Sequence, residues 1–228
     1  MPFRMNLLQQ TTGLAMKRSN AIRSTILALS TAVLCLGLAM GSLRAMPVGL
    51  NGGDAVRTLY STLLNSMRNG PSLGARGRYA QIEPVVQRVF DVPFMARLAV
   101  GPQWASLTPQ QQQQVSQAFG RYIAAIYAER FDNYSGEQLQ VVGEQPSAQG
   151  TIITSRIVKS NGEPVQINYL IHQNGGVWQI ADVYLDGTIS ELATRRSEFA
   201  TILRSQGING LIGSLNAKAD SLVLARAG

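Results

Sequence analysis

The chain predicts an α+β fold: an antiparallel sheet of about four strands, in meander order, covered by helices from both ends of the chain. Three observations predict it. Apolar residues recur at three- and four-residue steps in two separate stretches, roughly 54–131 and 189–224. Between them, from Gln138 to Asp186, the pattern changes to period two. Two turn signals, Asn161-Gly162 and Asn174-Gly175-Gly176, divide that central segment as hairpins would.

The elements follow in order. Asp54 reads as the N-cap of a helix through Met67, with Val56, Leu59, Tyr60, Leu63, Leu64 and Met67 at helical spacing and Asn69-Gly70-Pro71 as its stop. A second helix runs from Tyr79 to Phe90, with Pro84 in its first turn or bending it. Pro93 opens a short helix, Phe94 to Val100, closed by Gly101-Pro102. Thr108-Pro109 then starts the longest helix, since Thr caps well and Pro suits the first helical position. Its stripe is Val115, Phe119, Tyr122, Ile123, Ile126, Tyr127 and Phe131. Strands follow at Gln138–Glu144, Thr151–Lys159, Val165–His172 and Val177–Asp186. A helix from Ile189 to Ser205, broken at Gly207, leads to a last one from Asn209 to Leu224.

Charge excludes one class of function. The formal net charge is +7, from 20 basic and 13 acidic residues. Residues 1–45 carry five of the basic groups (Arg4, Lys17, Arg18, Arg23, Arg44) and no acid, so 15 basic face 13 acidic residues beyond them. A domain so near neutrality lacks the electrostatic footprint of a nucleic-acid binder.

Those first 45 residues read as a cleaved export signal. Lys17, Arg18 and Arg23 precede the uncharged apolar run Ile26–Met40, and small residues follow at Gly41, Ser42 and Ala45, the expected cleavage point. Fifteen helical residues span roughly 22 Å, short of the roughly 30 Å hydrocarbon core. A flexible lead-in over 46–53 and a single domain over 54–224 complete the organisation, which implies a periplasmic protein. Cys35, the one cysteine, lies inside the apolar run, so the domain has no disulfide and no thiol nucleophile.

Catalytic groups are sparse. His172 is the single histidine and reads as a solvated strand residue. With no second His or Cys in the domain, no zinc or copper site is expected, and no cofactor. No G-x-S-x-G elbow and no phosphate-binding glycine loop is present. Asp182 and Asp186, four apart on one strand, would share a face with Ile180 and Tyr184, where a general acid is conceivable. The plainer role for such an aspartate is to bond backbone or an arginine at the sheet end, and the chain is expected not to be an enzyme.

What remains is apolar and aromatic surface. It has a plain role as core filling. A small sheet covered by helices on one side can also open between the layers, giving an apolar cavity suited to an apolar ligand. The candidate lining is Phe94, Leu98, Phe119, Ile123, Tyr127, Val141, Ile167, Tyr169, Trp178, Ile180 and Tyr184. Alternation places Ile167 and Tyr169 on one face, and Trp178, Ile180 and Tyr184 on one face, without registering the two strands against each other.

A spaced series of residues carries a family likeness. Phe90-Asp91, Leu98, Gly101, Trp104, Leu107-Thr108, Phe119, Tyr127 and Tyr134 are followed by Trp178, Asp182-Val183, Gly187, Arg195 or Arg196, Phe199, Gly207 and Leu211. In this order the chain, from about Asp54 to Leu224, resembles the MlaC or toluene-tolerance family of periplasmic phospholipid-binding proteins. The W-x-x-L-T and W-x-x-x-D-V stretches are the most specific part. Where the family usually has Gly-Val-Ser-Leu, this chain has Gly187-Thr188-Ile189-Ser190. A related branch accompanies hopanoid biosynthesis, so the resemblance implies a cargo of phospholipid or of a hopanoid-type polycyclic lipid. It further implies a shuttle between an inner-membrane ABC lipid transporter complex and an outer-membrane lipoprotein complex. Apolar lining would dominate affinity: an acyl chain of about 16 carbons gains about 12 kcal/mol by leaving water. A basic residue at an anionic headgroup adds only about 1 kcal/mol, so Arg97 or Arg130 at the rim would tune docking. The alternatives are an envelope protein-interaction module with a filled core, and a lipid-modifying enzyme.

Overall fold

The computed structural model describes residues 52–224. The expected export signal, Cys35 and all of the lead-in except Gly52 and Gly53 lie outside the described residues. Among the described residues, five helices and a five-stranded antiparallel sheet follow one another as α1 (Gly53–Arg68), α2 (Gly70–Val89), α3 (Val92–Val100), a 3-10 turn (Gly101–Ser106), α4 (Pro109–Arg130), β1 (Gln138–Ser147), β2 (Gly150–Val158), β3 (Pro164–Asn174), β4 (Val177–Leu185), β5 (Ile189–Ser190) and α5 (Glu191–Leu224). The sheet order is β1-β2-β3-β4-β5, a pure meander.

Local chemistry accounts for the long helix. The Thr108 hydroxyl accepts from the Gln111 amide while the Gln111 side chain accepts from the Thr108 amide, a reciprocal capping box, with Pro109 in the first turn. The apolar stripe of α1 is fully inside: Val56, Leu59 and Leu63 have no exposed surface. Arg78 on α2 is buried and donates to the Ala128 carbonyl of α4 at 2.8 Å and to the Gly70 carbonyl at 3.2 Å, so its charge is met by backbone oxygens.

Several boundaries differ from expectation. Asp54 lies in the first turn of α1 rather than at its cap, where it pairs with Arg57 at 2.8 Å. α2 begins at Gly70, nine residues before Tyr79, because Gly74 takes a φ of 61° and lets a first helical segment join a second across a kink. Pro84 therefore sits well inside the helix, on its exposed side. Ile189-Ser190 form a fifth strand against Leu185 and Tyr184 instead of starting a helix. The break expected at Gly207 is present as a kink at φ 66° inside α5.

The register of the sheet positions the rest. Ser155 pairs with Ile167, Ile153 with Tyr169, and Val141 with Ser155. On β4, Val183 pairs with Tyr169 and Ile180 with Ile171, with an irregularity between them that leaves Ala181 as an extra residue. One extra residue reverses the side-chain alternation. Trp178 and Ile180 therefore share the face of Ile167 and Tyr169, whereas Asp182 and Tyr184 point to the opposite face. The expected grouping of Trp178, Ile180 and Tyr184 on one face is corrected accordingly, as is the placing of Asp182 beside Ile180. α1 covers the first face, its Tyr60 reaching Ser155 and Tyr169. α3 reaches the second face, its Phe94 ring lying 4.5 Å from the ring of His172.

Candidate functional site

The site grows from the inner face of the sheet. Val141, Ile153, Ile157, Ile167, Tyr169, Ile171, Trp178 and Ile180 all project from it toward the helices, following from the pairings above. The apolar residues of this surface on β2 and β3 are almost wholly excluded from water; Val141 and Trp178, nearer its margins, are half-buried. α4 contributes Tyr127, whose ring contacts Phe90 at 6.0 Å and stacks on Phe131 at 5.8 Å. Phe90 itself bridges to the edge of β4, and the Asp91 amide donates to the Ile180 carbonyl at 2.9 Å.

Within this apolar surface lies a cluster of hydroxyls. Ser155 donates to the Ile167 carbonyl, and its oxygen lies 2.5 Å from the Tyr60 hydroxyl. A serine has one proton, so with that proton on the carbonyl it is Tyr60 that donates to Ser155. The Tyr60 and Tyr169 rings meet edge to face at 5.8 Å. The Tyr169 phenol is electrostatically coupled to those of both Tyr60 and Tyr127. Burial pushes all three phenols above the ordinary tyrosine range, so they stay protonated and neutral.

Of the eleven candidate residues, the structure brings Val141, Ile167, Tyr169, Trp178 and Ile180 onto one surface and sets Tyr127 against it through Tyr169. Ile123 is buried one turn before Tyr127 on α4. Phe119, a further turn back, packs edge to face on Phe199 of α5 at 5.3 Å. Phe94 and Tyr184 belong to the other side of the sheet, and Leu98 is 37% exposed on α3. Arg97 lies over the Phe94 ring at 5.4 Å, and Arg130 is exposed at the end of α4. Two open clefts of about 390 and 470 Å³ flank the first half of α4, beside Trp104 and beside Arg121, and none of the eleven residues lines either.

Sequence reasoning missed Tyr60, Ser155 and Phe90. For Ser155 a signal existed: it is a polar residue at an inward position between Ile153 and Ile157. Tyr60 was legible as core on α1 but not as a partner of a strand 95 residues away.

Asp182 and His172 both have structural partners. Asp182 accepts from the amides of Val183 at 2.7 Å and Leu192 at 3.1 Å and from the Ser190 hydroxyl at 2.6 Å, which fixes the entry of α5. Burial raises its carboxyl above the usual aspartate value, opposed by those three hydrogen bonds. Asp186 sits apart in the turn after β4, at a φ of 48°. His172 is not a freely solvated residue: its Nε2 lies 2.8 Å from Asp91 Oδ2, which also accepts from Asn174 at 3.0 Å, while Asp91 Oδ1 caps α3 at the Phe94 amide.

Comparison with known proteins agrees with this architecture. A phospholipid-binding protein from Ralstonia solanacearum, solved in complex with a phospholipid, superposes with a TM-score of 0.65 at 21% identity, covering 75% of this chain and 98% of that one. The intermembrane phospholipid transport system binding protein MlaC of Haemophilus influenzae is 26% identical over 139 residues, 59% of this chain. That match spans 64% of the relative's length, less than two thirds of it. The family model described as MlaC protein matches residues 57–217, from the first turns of α1 into the last turns of α5, and the chain belongs to the MlaC family.

Proposed function

We propose that the protein is a periplasmic lipid-binding shuttle that carries phospholipid between membrane complexes and performs no catalysis. One observation carries the reading: the inner face of the sheet gathers Val141, Ile167, Tyr169, Trp178 and Ile180 opposite α1 and Tyr127 of α4, in a chain of the MlaC family. Such a surface suits hydrocarbon. Sheltering one acyl chain of about 16 carbons gains about 12 kcal/mol, far more than any rim charge supplies. The lipid bound by the Ralstonia solanacearum protein and the transport system named for the Haemophilus influenzae protein support phospholipid as the cargo. The partners in this reading are an inner-membrane ABC lipid transporter complex and an outer-membrane lipoprotein complex, with energy for directional transfer supplied by the former.

The test is mass spectrometry of lipid extracted from the protein purified from a bacterial envelope. Stoichiometric phospholipid is expected. A hopanoid-type lipid in its place changes the cargo and keeps the shuttle. A lipid-free protein that also takes up none from vesicles overturns the reading in favour of an interaction module, and chemically altered lipid overturns it in favour of an enzyme.

A further inference from the structure

α3 is apolar on both of its sides, although only one of them is covered. Val92, Met95, Ala96, Ala99 and Val100 point into the protein and are buried. The outward side presents Pro93, Phe94, Arg97 and Leu98, with Leu98 37% exposed. Phe94 and Leu98 stand one helical turn apart and make an apolar strip. Val177, 53% exposed at the turn between β3 and β4, extends that strip from the sheet. It pairs with Asn174, whose side chain bonds Asp91 at the cap of α3. Two cations border the strip. Arg97 lies over the Phe94 ring at 5.4 Å. The exposed Arg196 of α5 brings its guanidinium to 3.5 Å from the place where a Cβ on Gly101 would stand, directly after α3. Neither arginine forms an ion pair among the described residues. The acids closest in sequence are already engaged: Asp91 is buried against His172 and Asn174, and Glu191 and Glu198 pair with Arg195.

We propose that the outward side of α3 is a docking surface for an anionic lipid bilayer, with Phe94 and Leu98 entering the headgroup layer and Arg97 and Arg196 meeting lipid phosphates. Unpaired cations call for negative charge, and a guanidinium matches a phosphate with paired hydrogen bonds. Apart from those guanidinia, the strip has no polar side chain with which to satisfy the hydrogen-bonding groups of a protein surface. A headgroup layer asks only for apolar insertion and charge. Docking of this kind goes beyond cargo binding, and a chain that carried no lipid could still perform it.

The test is co-sedimentation of the purified protein with sucrose-loaded vesicles of phosphatidylglycerol or of phosphatidylcholine. Sedimentation reads protein held at the surface, whereas protein that only extracts lipid stays in the supernatant. Binding to phosphatidylglycerol alone, weakened by salt, is expected. Arg97→Ala and Arg196→Ala should each weaken it about fivefold, and both together roughly thirtyfold, the scale of one and of two cations at such a surface. Leu98→Ser should weaken it several-fold and leave the melting temperature in place, because Leu98 is not part of the core. Arg76→Ala removes the same charge at the far end of α2 and should leave binding near the unaltered level. Equal affinity for the two vesicle types, or equal effects of Arg76→Ala and Arg97→Ala, overturns the proposal. Absence from both vesicle types also overturns it, in favour of an acidic protein as the occupant of this side. The lipid content of the same preparation is measured separately, so loss of docking leaves the carrier reading standing.

Discussion

The Tyr60 hydroxyl of α1 stands 2.5 Å from the Ser155 hydroxyl of β2, and Ser155 hands its proton to the Ile167 carbonyl of β3. One helix is thereby tied to two adjacent strands through a polar link inside an apolar layer. Such links are costly when half broken, because each remaining group has already given up water. They also fix how a helix sits over a sheet, which hydrophobic contact alone, being non-directional, does not.

The link is open to a double-mutant cycle. Ser155→Ala leaves the Tyr60 proton without its acceptor and is expected to cost about 1–3 kcal/mol. Tyr60→Phe is expected to cost about 1 kcal/mol. The double variant should cost less than the sum by about 1 kcal/mol, since no orphaned partner remains. Urea midpoints at constant slope measure it, and strict additivity would show that the two hydroxyls are not coupled.

Asp182 predicts a pH signature. Burial raises its carboxyl in the folded state, so between the ordinary aspartate value and the raised one the folded chain holds more proton than the unfolded chain. Stability therefore falls as pH rises through that interval and is level above it, with respect to this group. Asp182→Asn, which keeps an oxygen for the Val183 and Leu192 amides, should lose the step and remain folded. Asp182→Ala, which leaves the entry of α5 uncapped, should cost about 2 kcal/mol. Thermal melts across acid pH decide it; an unchanged step in Asp182→Asn would assign the titration to another group.

Two glycines of α5 should respond in opposite directions. Gly207 holds a φ of 66° with ψ −170°, a conformation that side chains other than hydrogen rarely adopt. No atom lies within 4 Å of a Cβ built there, so any penalty comes from the backbone. Gly207→Ala is expected to destabilise by about 1–3 kcal/mol. Gly213, helical and equally open, is expected to gain up to about 1 kcal/mol as Ala. Melting temperatures of the two variants moving the same way would contradict the kink as a built feature.

Much of the fold was legible because its signals are local. Thr108-Pro109 announces α4 through the side chain that caps it, and Asn161-Gly162 and Asn174-Gly175-Gly176 announce the meander through turns only such residues make easily. What failed was non-local or a matter of counting. The extra Ala181 on β4 leaves no trace in composition, yet it transfers Tyr184 to the other face. Helical spacing on α4 named Phe119, Ile123 and Tyr127 correctly as one stripe, but a 22-residue helix passes from the sheet to α5, so Phe119 ends against Phe199. Phe94 could be identified as aromatic and inward without any sign of which layer it would enter. The Asp91–His172 pair joins residues 81 apart, and only the assembled chain shows it.

The bulge at Ala181 also separates two aromatic residues that alternation alone would place together, and this gives the sharpest test of the site. Trp178 and Tyr169 face α1 and α4, whereas Tyr184 faces the opposite side, where it pairs with Asn168 and Ser190 along the backbone. All three are large and only Tyr169 is fully buried, so loss of general hydrophobicity is similar for Trp178 and Tyr184. If the inner face holds lipid, Trp178→Ser should lower co-purified lipid several-fold while Tyr184→Ser leaves it near the unaltered level. Tyr169→Ser should also lower it, with part of the effect arising from lost stability, which makes Trp178 the cleaner probe. Phosphorus analysis per mole of protein, alongside melts, separates binding from folding. Equal lipid loss at Trp178 and Tyr184 would mean that the face selected by the bulge does not decide what is carried.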